Sequence, residues 1–331
     1  MADVLGGRAR VVGSRTHVGR HDLGLPPGVV SPYEVREVAG LRYGDPPIEE
    51  ARYERHRTLV KDAGVLARLA VTRLLPRPES NVGPPRDAER VRIVSANVDA
   101  LDTAAAIGVV MGWLERRAHG LVFFVHPHAL NLASNDTQLR DDIASADLIL
   151  PDGIGMRVAA SILGAHLPAN VNGTDLLPEL LLELAAHGTP IALIGGKPGV
   201  AERAAATWAK GTSVRIAGTW DGYKSDAEYE EIAKQIGAAG PCVVLIAFGS
   251  PLQERFAVRH FKDRAGVVAI TVGGLFDFAA GDKPRAPLAW RELGLEWVWR
   301  FVHEPKRLGK RYLVGNPEFV ARALAQRLRR P

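Results

Sequence analysis

Asp152 is the first residue in this sequence whose type and position suggest chemistry. The short apolar run Leu148 to Leu150 leads into Asp152 and Gly153, and a helical pattern follows. A carboxylate and a glycine between a strand and a helix suit a ligand crevice in an open α/β sheet. A carboxylate that is partly shielded from water has a raised pKa and can accept a proton from a hydroxyl group. A helix cap is the simpler interpretation of this stretch by itself, because aspartate favours that position.

Glycine-rich turns follow four of the predicted strands and suggest a second kind of chemistry. Backbone amides at such turns, beside helix N-termini, suit phosphate or diphosphate groups. Neither the dinucleotide pattern G-x-G-x-x-G nor the Walker pattern is present. The turns therefore favour a nucleotide-type ligand without indicating a nicotinamide or ATP site. They lie at Asp152 to Gly155, Gly195 and Gly196, Gly249 and Ser250, and Gly273 and Gly274.

Two histidines and a second aspartate follow other predicted strands. His126 and His128 come after the apolar run Leu121 to Val125, and Asp277 follows the run that ends at Val272. The histidines can act as bases or bind phosphate. No H-E-x-x-H or paired-cysteine pattern accompanies them, so the sequence predicts no metal site and no cofactor.

The composition is that of a soluble globular protein, with 331 residues, 47% hydrophobic residues and a net charge of +5. The one cysteine, Cys242, lies in an apolar run, which indicates a buried core residue and a reducing, cytoplasmic setting. No apolar run reaches the roughly 18 to 20 residues of a membrane-spanning helix, and the N-terminus lacks a signal-peptide pattern. The last 49 residues hold 12 lysines and arginines against four acids, which indicates an anionic partner.

Strands alternating with helices predict the elements that position these residues. This rhythm is typical of an open, mainly parallel α/β sheet with helices on both faces, a Rossmann-like fold. The predicted strands are 91–96, 121–125, 148–150, 191–194, 214–218, 242–248 and 267–272. The predicted helices are 100–117, 129–143 as one broken or two short helices, 156–163, 174–186, one ending at 210, 226–239 and one that residues 249–254 open.

Three segments of different character predict the domain organisation. Residues 1–90 are rich in proline and arginine and form an extension that is flexible or partly helical, with helical periodicity over Glu49 to Leu75. Residues 91–282 form the α/β catalytic domain, and residues 283–331 a basic helical appendage. A helix over Leu288 to Phe301 carries tryptophans among basic residues. It can lie on an anionic membrane surface or pack ordinarily on the protein, and both interpretations stay open.

Taken in order, the motifs resemble the WecB/TagA/CpsF glycosyltransferase family. The resemblance covers about residues 91–320. The motifs are ADLILPDGIG at 146–155, NGTDL at 172–176, LIGGKPG at 193–199, GTWDGY at 218–223, GSPLQE at 249–254, VGGLFDF at 272–278, LGLEWVWRF at 293–301, EPKRL at 304–308 and RYLVGN at 311–316.

The resemblance implies an inverting transfer of an N-acetylmannosamine-type or related sugar from a UDP-sugar to a polyprenyl-diphosphate-linked acceptor. This reaction belongs to cell-surface polysaccharide synthesis, including exopolysaccharide, at the cytoplasmic face of the membrane, with the enzyme bound peripherally. It implies Asp152 as catalytic base and Gln253 as a substrate contact, and the basic C-terminus as a segment that engages diphosphate and membrane. A nucleic-acid partner is not expected, and the oligomeric state stays open between a monomer and a homo-oligomer.

The candidate catalytic residues are Asp152 and His126. The candidate substrate-binding residues are Gln253, Gly153, Asn172, Asp175, Gly195, Gly196, Tyr223, Gly249, Gly274, Asp277, Arg285, Arg300, Arg307 and Arg311.

Three positions depart from the teichoic-acid branch of the family. Phe124 and His126 stand where that branch has a threonine and an asparagine, and Asn170 stands where an arginine is common. His126 either orients the acceptor or the donor phosphates, or is structural. These changes concern the choice of substrate more than the reaction. They also motivate a second hypothesis, a catalytically weak UDP-sugar-binding or regulatory protein of the same fold.

Overall fold

A computed structural model of the chain describes residues 10–12, 28–31, 53, 57–74, 90–168, 171–293 and 295–329. The chain forms two compact units. The larger unit spans residues 80–285 and 304–331, and the smaller one spans residues 1–79 and 286–303. Asn170 lies outside the described residues, as do parts of the helix predicted over Glu49 to Leu75.

A six-stranded parallel sheet forms the centre of the larger unit, which confirms the predicted Rossmann-like α/β fold. Its spatial order is β6-β5-β10-β9-β7-β8. The inner strands are buried throughout because their sequences are continuous apolar runs, as expected when helices cover both faces. The strands are β5 (Gly120–Val125), β6 (Leu148–Pro151), β7 (Ile191–Gly195), β8 (Ile216–Trp220), β9 (Cys242–Ala247) and β10 (Val267–Thr271). Cys242 is buried in β9, as predicted.

Helices cover the sheet on two faces and bury two separate hydrophobic clusters. The helices that pack on one face are α3 (Pro127–Asn135), α4 (Thr137–Ala144), α5 (Ile154–Ile162), α8 (Asp226–Ala238), α9 (Leu252–Phe261) and α14 (Gly315–Leu328). Those on the other face are α2 (Thr103–Glu115), α6 (Gly173–Ala186), α7 (Val200–Thr212) and α10 (Leu275–Ala279).

A hairpin that the sequence did not predict precedes the sheet. Strands β3 (Arg90–Ile93) and β4 (Ala96–Asp99) pair antiparallel where a single strand, 91–96, was expected. The turn between them contains Val94, whose φ is 53°. Valine seldom adopts this left-handed conformation, so the sequence carries no turn signal at this point. β8 also begins two residues later than predicted.

The C-terminal helices α13 (Pro305–Leu313) and α14 are integral to the larger unit. Phe319 and Ala323 of α14 are buried in the cluster that also contains residues of α3 and α5. The Asn131 side chain of α3 donates to the Gly315 carbonyl oxygen at 2.7 Å. Gln326 accepts from the amide of Val94 at 2.7 Å and donates to the carbonyl of Arg92 at 2.9 Å. The basic C-terminus is therefore anchored by apolar and polar contacts.

The smaller unit contains β1 (Arg10–Val12), β2 (Gly28–Val30), α1 (Leu59–Leu74), α11 (Leu288–Glu292) and α12 (Glu296–His303). One continuous helix over Leu288 to Phe301 was expected, and that expectation was wrong: two short helices occupy this segment. Trp290 and Trp299 contact each other edge-on, with ring centroids 5.9 Å apart. The Trp299 ring also lies 4.3 Å from the His303 ring. At least part of the aromatic content of this segment is therefore engaged within the unit.

Candidate active site

The predicted site residues converge on one edge of the sheet, because parallel strands all end on the same side. β7 and β9 are neighbours, and the helices that follow them, α7 and α9, lie on opposite faces. Such a point, where the chain leaves adjacent strands in opposite directions, opens a crevice suited to ligands. Four inter-strand spacings, or about 19 Å, separate β6 from β7 along this edge. That length suits an extended ligand.

Asp152 directly follows β6, and His126 directly follows the neighbouring strand β5. Val125 is the register partner of Pro151, so Asp152 and His126 are next to each other across the two strands. The Asp152 amide donates to the Val125 carbonyl oxygen at 2.8 Å. Gly153, with φ of 90°, is the N-cap of α5, so the interpretation of Asp152 itself as that cap was wrong.

Close packing between two helix starts keeps this corner narrow. A Cβ on Gly155 of α5 would lie only 2.5 Å from Pro127 Cγ at the start of α3. Glycine at this position therefore allows the two turns that carry the candidate acid and histidine to approach each other.

His126 has a defined structural role as the N-cap of α3. Its Nδ1 accepts a hydrogen bond from the Ala129 amide at 3.0 Å. A ring nitrogen that accepts carries no proton, so the ring is neutral and its proton is on Nε2. In this form His126 can donate a hydrogen bond but cannot act as a base through Nδ1. Its catalytic role stays a prediction, in the narrower sense of a hydrogen-bond donor to substrate.

Two arginines flank the end of β5. The His128 ring stacks on that of His126 with centroids 6.1 Å apart, and burial, aided by the nearby charge of Arg311, lowers the pKa of His128. Arg311 of α13 is therefore close to this corner. Arg285 pairs with Asp175 in the first turn of α6, where a Cβ on Gly173 would lie 3.4 Å from the Phe124 ring. Arg311 thus lies near His128 in the first turn after β5, and Arg285 pairs with a carboxylate in the helix start that packs against Phe124.

Gln253 ties together the loops that follow β9 and β10. Its side chain is almost fully buried, and its Oε1 accepts from the amides of Gly249 at 3.2 Å and Gly273 at 3.0 Å. Its Nε2 donates to Glu254 Oε1 at 3.0 Å. Most of the hydrogen-bonding capacity of this predicted substrate contact is therefore used within the protein.

The glycine turn after β7 is also fixed internally. Gly195 has φ of 125°, and a Cβ there would lie 2.5 Å from the Ala247 carbonyl oxygen of β9. The Gly196 amide donates to the same oxygen at 3.0 Å, and the Gly196 carbonyl accepts from Gly222 at 2.9 Å. Together with Gly249 and Gly273, these amides bond within the protein. The structure thus uses them to hold the loops together, where the sequence predicted phosphate contacts.

The remaining predicted residues divide into four groups. Asn172 caps α6 through a 3.0 Å bond from the Asp175 amide and donates to the Asp175 carboxylate at 2.7 Å. Tyr223 is largely exposed beside the β7 turn. Gly274 begins α10, and Asp277 in that helix pairs with Lys283 at 2.7 Å. Arg307 pairs with Glu304 in the larger unit, whereas Arg300 pairs with Glu296 in the smaller unit.

Sequence reasoning missed Glu254 as a contributor to this edge and named Ser250 only as part of a glycine-rich turn. Glu254 is fully buried, and its Oε1 accepts from the Ser250 hydroxyl at 2.6 Å. Burial raises the pKa of the Glu254 carboxyl group. Because acidic residues are common in the first turn of a helix, only the position of Glu254 next to Gln253 could have indicated a role at the site. Among the described residues no group of three or more His, Cys, Asp or Glu is placed to hold a metal ion.

Comparison with known protein families agrees with this architecture. The family model described as the glycosyl transferase WecG/TagA/CpsF family matches residues 91–331, which is most of the chain. The match covers every strand of the large sheet and both C-terminal helices of the larger unit. The chain therefore belongs to the WecG/TagA/CpsF family and is a glycosyltransferase.

Proposed function

We propose that this glycosyltransferase inverts configuration as it moves an N-acetylmannosamine-type or related sugar from a UDP-sugar to a polyprenyl-diphosphate-linked acceptor. The observation that carries the proposal is the position of Asp152. Asp152 follows β6, is not the N-cap of α5, and lies next to His126 across the two strands, at the edge where the family motifs converge.

Asp152 acts as the general base in the proposed reaction. It removes the proton from the acceptor hydroxyl while the hydroxyl oxygen attacks the anomeric carbon from the face opposite UDP. The bond between the anomeric carbon and the diphosphate oxygen breaks, and UDP leaves with the electron pair. One displacement of this kind inverts the anomeric configuration.

Arg311 and Arg285 supply positive charge for the departing diphosphate. Arg311 lies near His128 at the start of α3, Arg285 pairs with Asp175 at the start of α6, and preorganised positive charge stabilises developing negative charge. Arg285 is held by Asp175, so it is fixed before substrate arrives. Arg307 is paired in the same way, with Glu304 at the start of α13, and its contact with substrate stays a prediction.

The surface of helix α13 supports the proposal that the acceptor resides in a membrane. Its buried side consists of Leu308 and Tyr312, while Lys306 and Lys310 are exposed. Two apolar side chains at its end, Leu313 and Val314, are 65% and 57% exposed. Exposed apolar groups beside lysines suit an anionic lipid surface. We propose peripheral binding at the cytoplasmic face on the basis of this exposed basic and apolar surface. No helix among the described residues has the length and apolar character to cross a membrane.

Acceptor-dependent release of UDP tests the proposed function. The full chain is incubated with UDP-N-acetylhexosamines and UDP-N-acetylhexosaminuronic acids, with and without a polyprenyl-diphosphate N-acetylglucosamine acceptor. Release of UDP from one donor only when the acceptor is present is expected. Absence of transfer with every donor contradicts the proposal. Tight UDP binding without transfer supports the alternative of a UDP-sugar-binding regulator, which the buried Phe124 at the site edge favours.

A further inference from the structure

The Gln253 carboxamide has only one orientation that fits its surroundings. A carboxamide offers two acceptor positions on oxygen and two donor hydrogens on nitrogen. Both acceptor positions face backbone donors, the amides of Gly249 and Gly273. Reversing the group would place its NH₂ against those two N–H groups, and four hydrogens would face one another. The oxygen must therefore point at the two loops, which belong to adjacent strands of the sheet.

Glu254 enforces this orientation from the other side. Its Oε1 accepts from Gln253 Nε2 at 3.0 Å and from the Ser250 hydroxyl at 2.6 Å. Its Oε2 is buried and has no hydrogen-bond partner among the described residues. An ionised carboxylate with one bare buried oxygen is disfavoured, so this geometry favours the neutral acid over the carboxylate. Burial and the negative charge of Asp142 both act in this direction by raising the pKa of Glu254.

We propose that Glu254 is a positioning residue, which holds the Gln253 carboxamide so that it ties the loops after β9 and β10 into one rigid edge. Ser250 completes the arrangement from the β9 loop itself. Of the four hydrogen-bonding positions on the Gln253 carboxamide, three are then used within the protein. The fourth is an N–H, so Gln253 can recognise a substrate acceptor atom, such as a carbonyl, hydroxyl or phosphate oxygen, and not a donor.

The effect of this arrangement on sugar transfer rests on the proposed function, whereas the tie between the loops does not. Hydrogen exchange at the Gly249 and Gly273 amides reports the tie without any ligand. UDP binding and acceptor-dependent UDP release report whether the tie between the loops matters for substrate binding and sugar transfer. The two measurements therefore separate a failure of the positioning role from a failure of the proposed reaction.

The experiment compares wild-type protein with Glu254→Gln, Glu254→Leu and a control, Glu231→Gln. Glu231 is an exposed glutamate on α8, so the control makes the same chemical change at the surface. A glutamine at 254 is neutral and keeps an acceptor for Ser250 and Gln253, so exchange, UDP affinity and turnover should stay close to wild type. A leucine removes the acceptor, and exchange of both glycine amides should accelerate by about tenfold or more. The affinity of the Glu254→Leu variant for UDP should also fall.

Three results would overturn the inference. The first is unchanged protection of Gly249 and Gly273 in Glu254→Leu. The second is a Glu254→Gln protein that retains protection but loses turnover, because Glu254 would then act through its charge or proton rather than by positioning. If the leucine variant does not fold, the glutamine variant still decides, since loss of protection in that variant also contradicts the proposal. If wild-type protein releases no UDP, the exchange measurement still tests the tie.

Discussion

Replacing Phe319 by alanine should loosen the corner of the larger unit that carries the candidate active site. Phe319 is 1% exposed and lies in the same buried cluster as Leu130 of α3 and Met156 of α5. A buried aromatic side chain removes about 150 to 250 Å² from water, or about 4 to 6 kcal/mol at about 25 cal/mol per Å². Alanine retains part of this, so a loss of about 3 to 5 kcal/mol is expected.

Native-state hydrogen exchange of α3 and α5 measures this loss directly, because both helices contact α14. The control is Leu324→Ala, which removes a half-exposed side chain from the same helix and should cost less than about 1 kcal/mol. Since α3 and α5 begin directly after His126 and Gly153, at the ends of β5 and β6, the Phe319 variant should also slow UDP release. Equal, small losses in both variants would refute the conclusion that α14 is part of this core.

Three further results are expected. A double-mutant cycle on Asp175 and Arg285, read by urea unfolding, should give a coupling of about 0.5 to 3 kcal/mol, and additive effects would contradict a working ion pair. Because the pKa of Glu254 is raised, the neutral group adds to the free energy of unfolding fully below the ordinary carboxyl pKa, and this contribution is lost as the pH rises through the raised pKa. The charged groups Asp142 and Arg255 lie nearby. The stability of Glu254→Gln relative to wild type should therefore increase from acid to neutral pH, and a constant difference would exclude the neutral acid. His126→Ala should cost about 1 kcal/mol by removing the α3 cap, whereas His126→Asn should restore stability. Recovery of stability without recovery of UDP release would show that the imidazole also serves substrate.

Much of the larger unit could be predicted from the sequence because its elements carry simple signals. The apolar runs at β5, β9 and β10 are typical of buried parallel strands, and all three form where expected. The β3–β4 hairpin was missed because its turn uses Val94 in a left-handed conformation. The tryptophans of residues 288–301 are spaced as in one continuous helix, so this spacing did not indicate the interruption between α11 and α12.

The pairings at the site edge could not be predicted, because they depend on three-dimensional neighbours. Arg285 pairs with Asp175, which lies 110 positions earlier in the chain. Gln253 carries a motif-like signal for substrate binding, but its oxygen is used by the Gly249 and Gly273 amides. Glycines at strand ends predicted phosphate contacts from local sequence alone. Only the fold shows that several of their amides bond to neighbouring loops.

The turnover of the Asp152→Asn variant decides whether Asp152 is the general base. Asparagine keeps the size of the side chain but cannot take the acceptor proton, so kcat for acceptor-dependent UDP release should fall about 10²- to 10⁴-fold. The affinity for UDP should be close to that of wild type. Asp263→Asn, the same change at an exposed aspartate, serves as the control and should leave kcat unchanged. Near-wild-type turnover by Asp152→Asn would contradict the assignment of Asp152 as the general base.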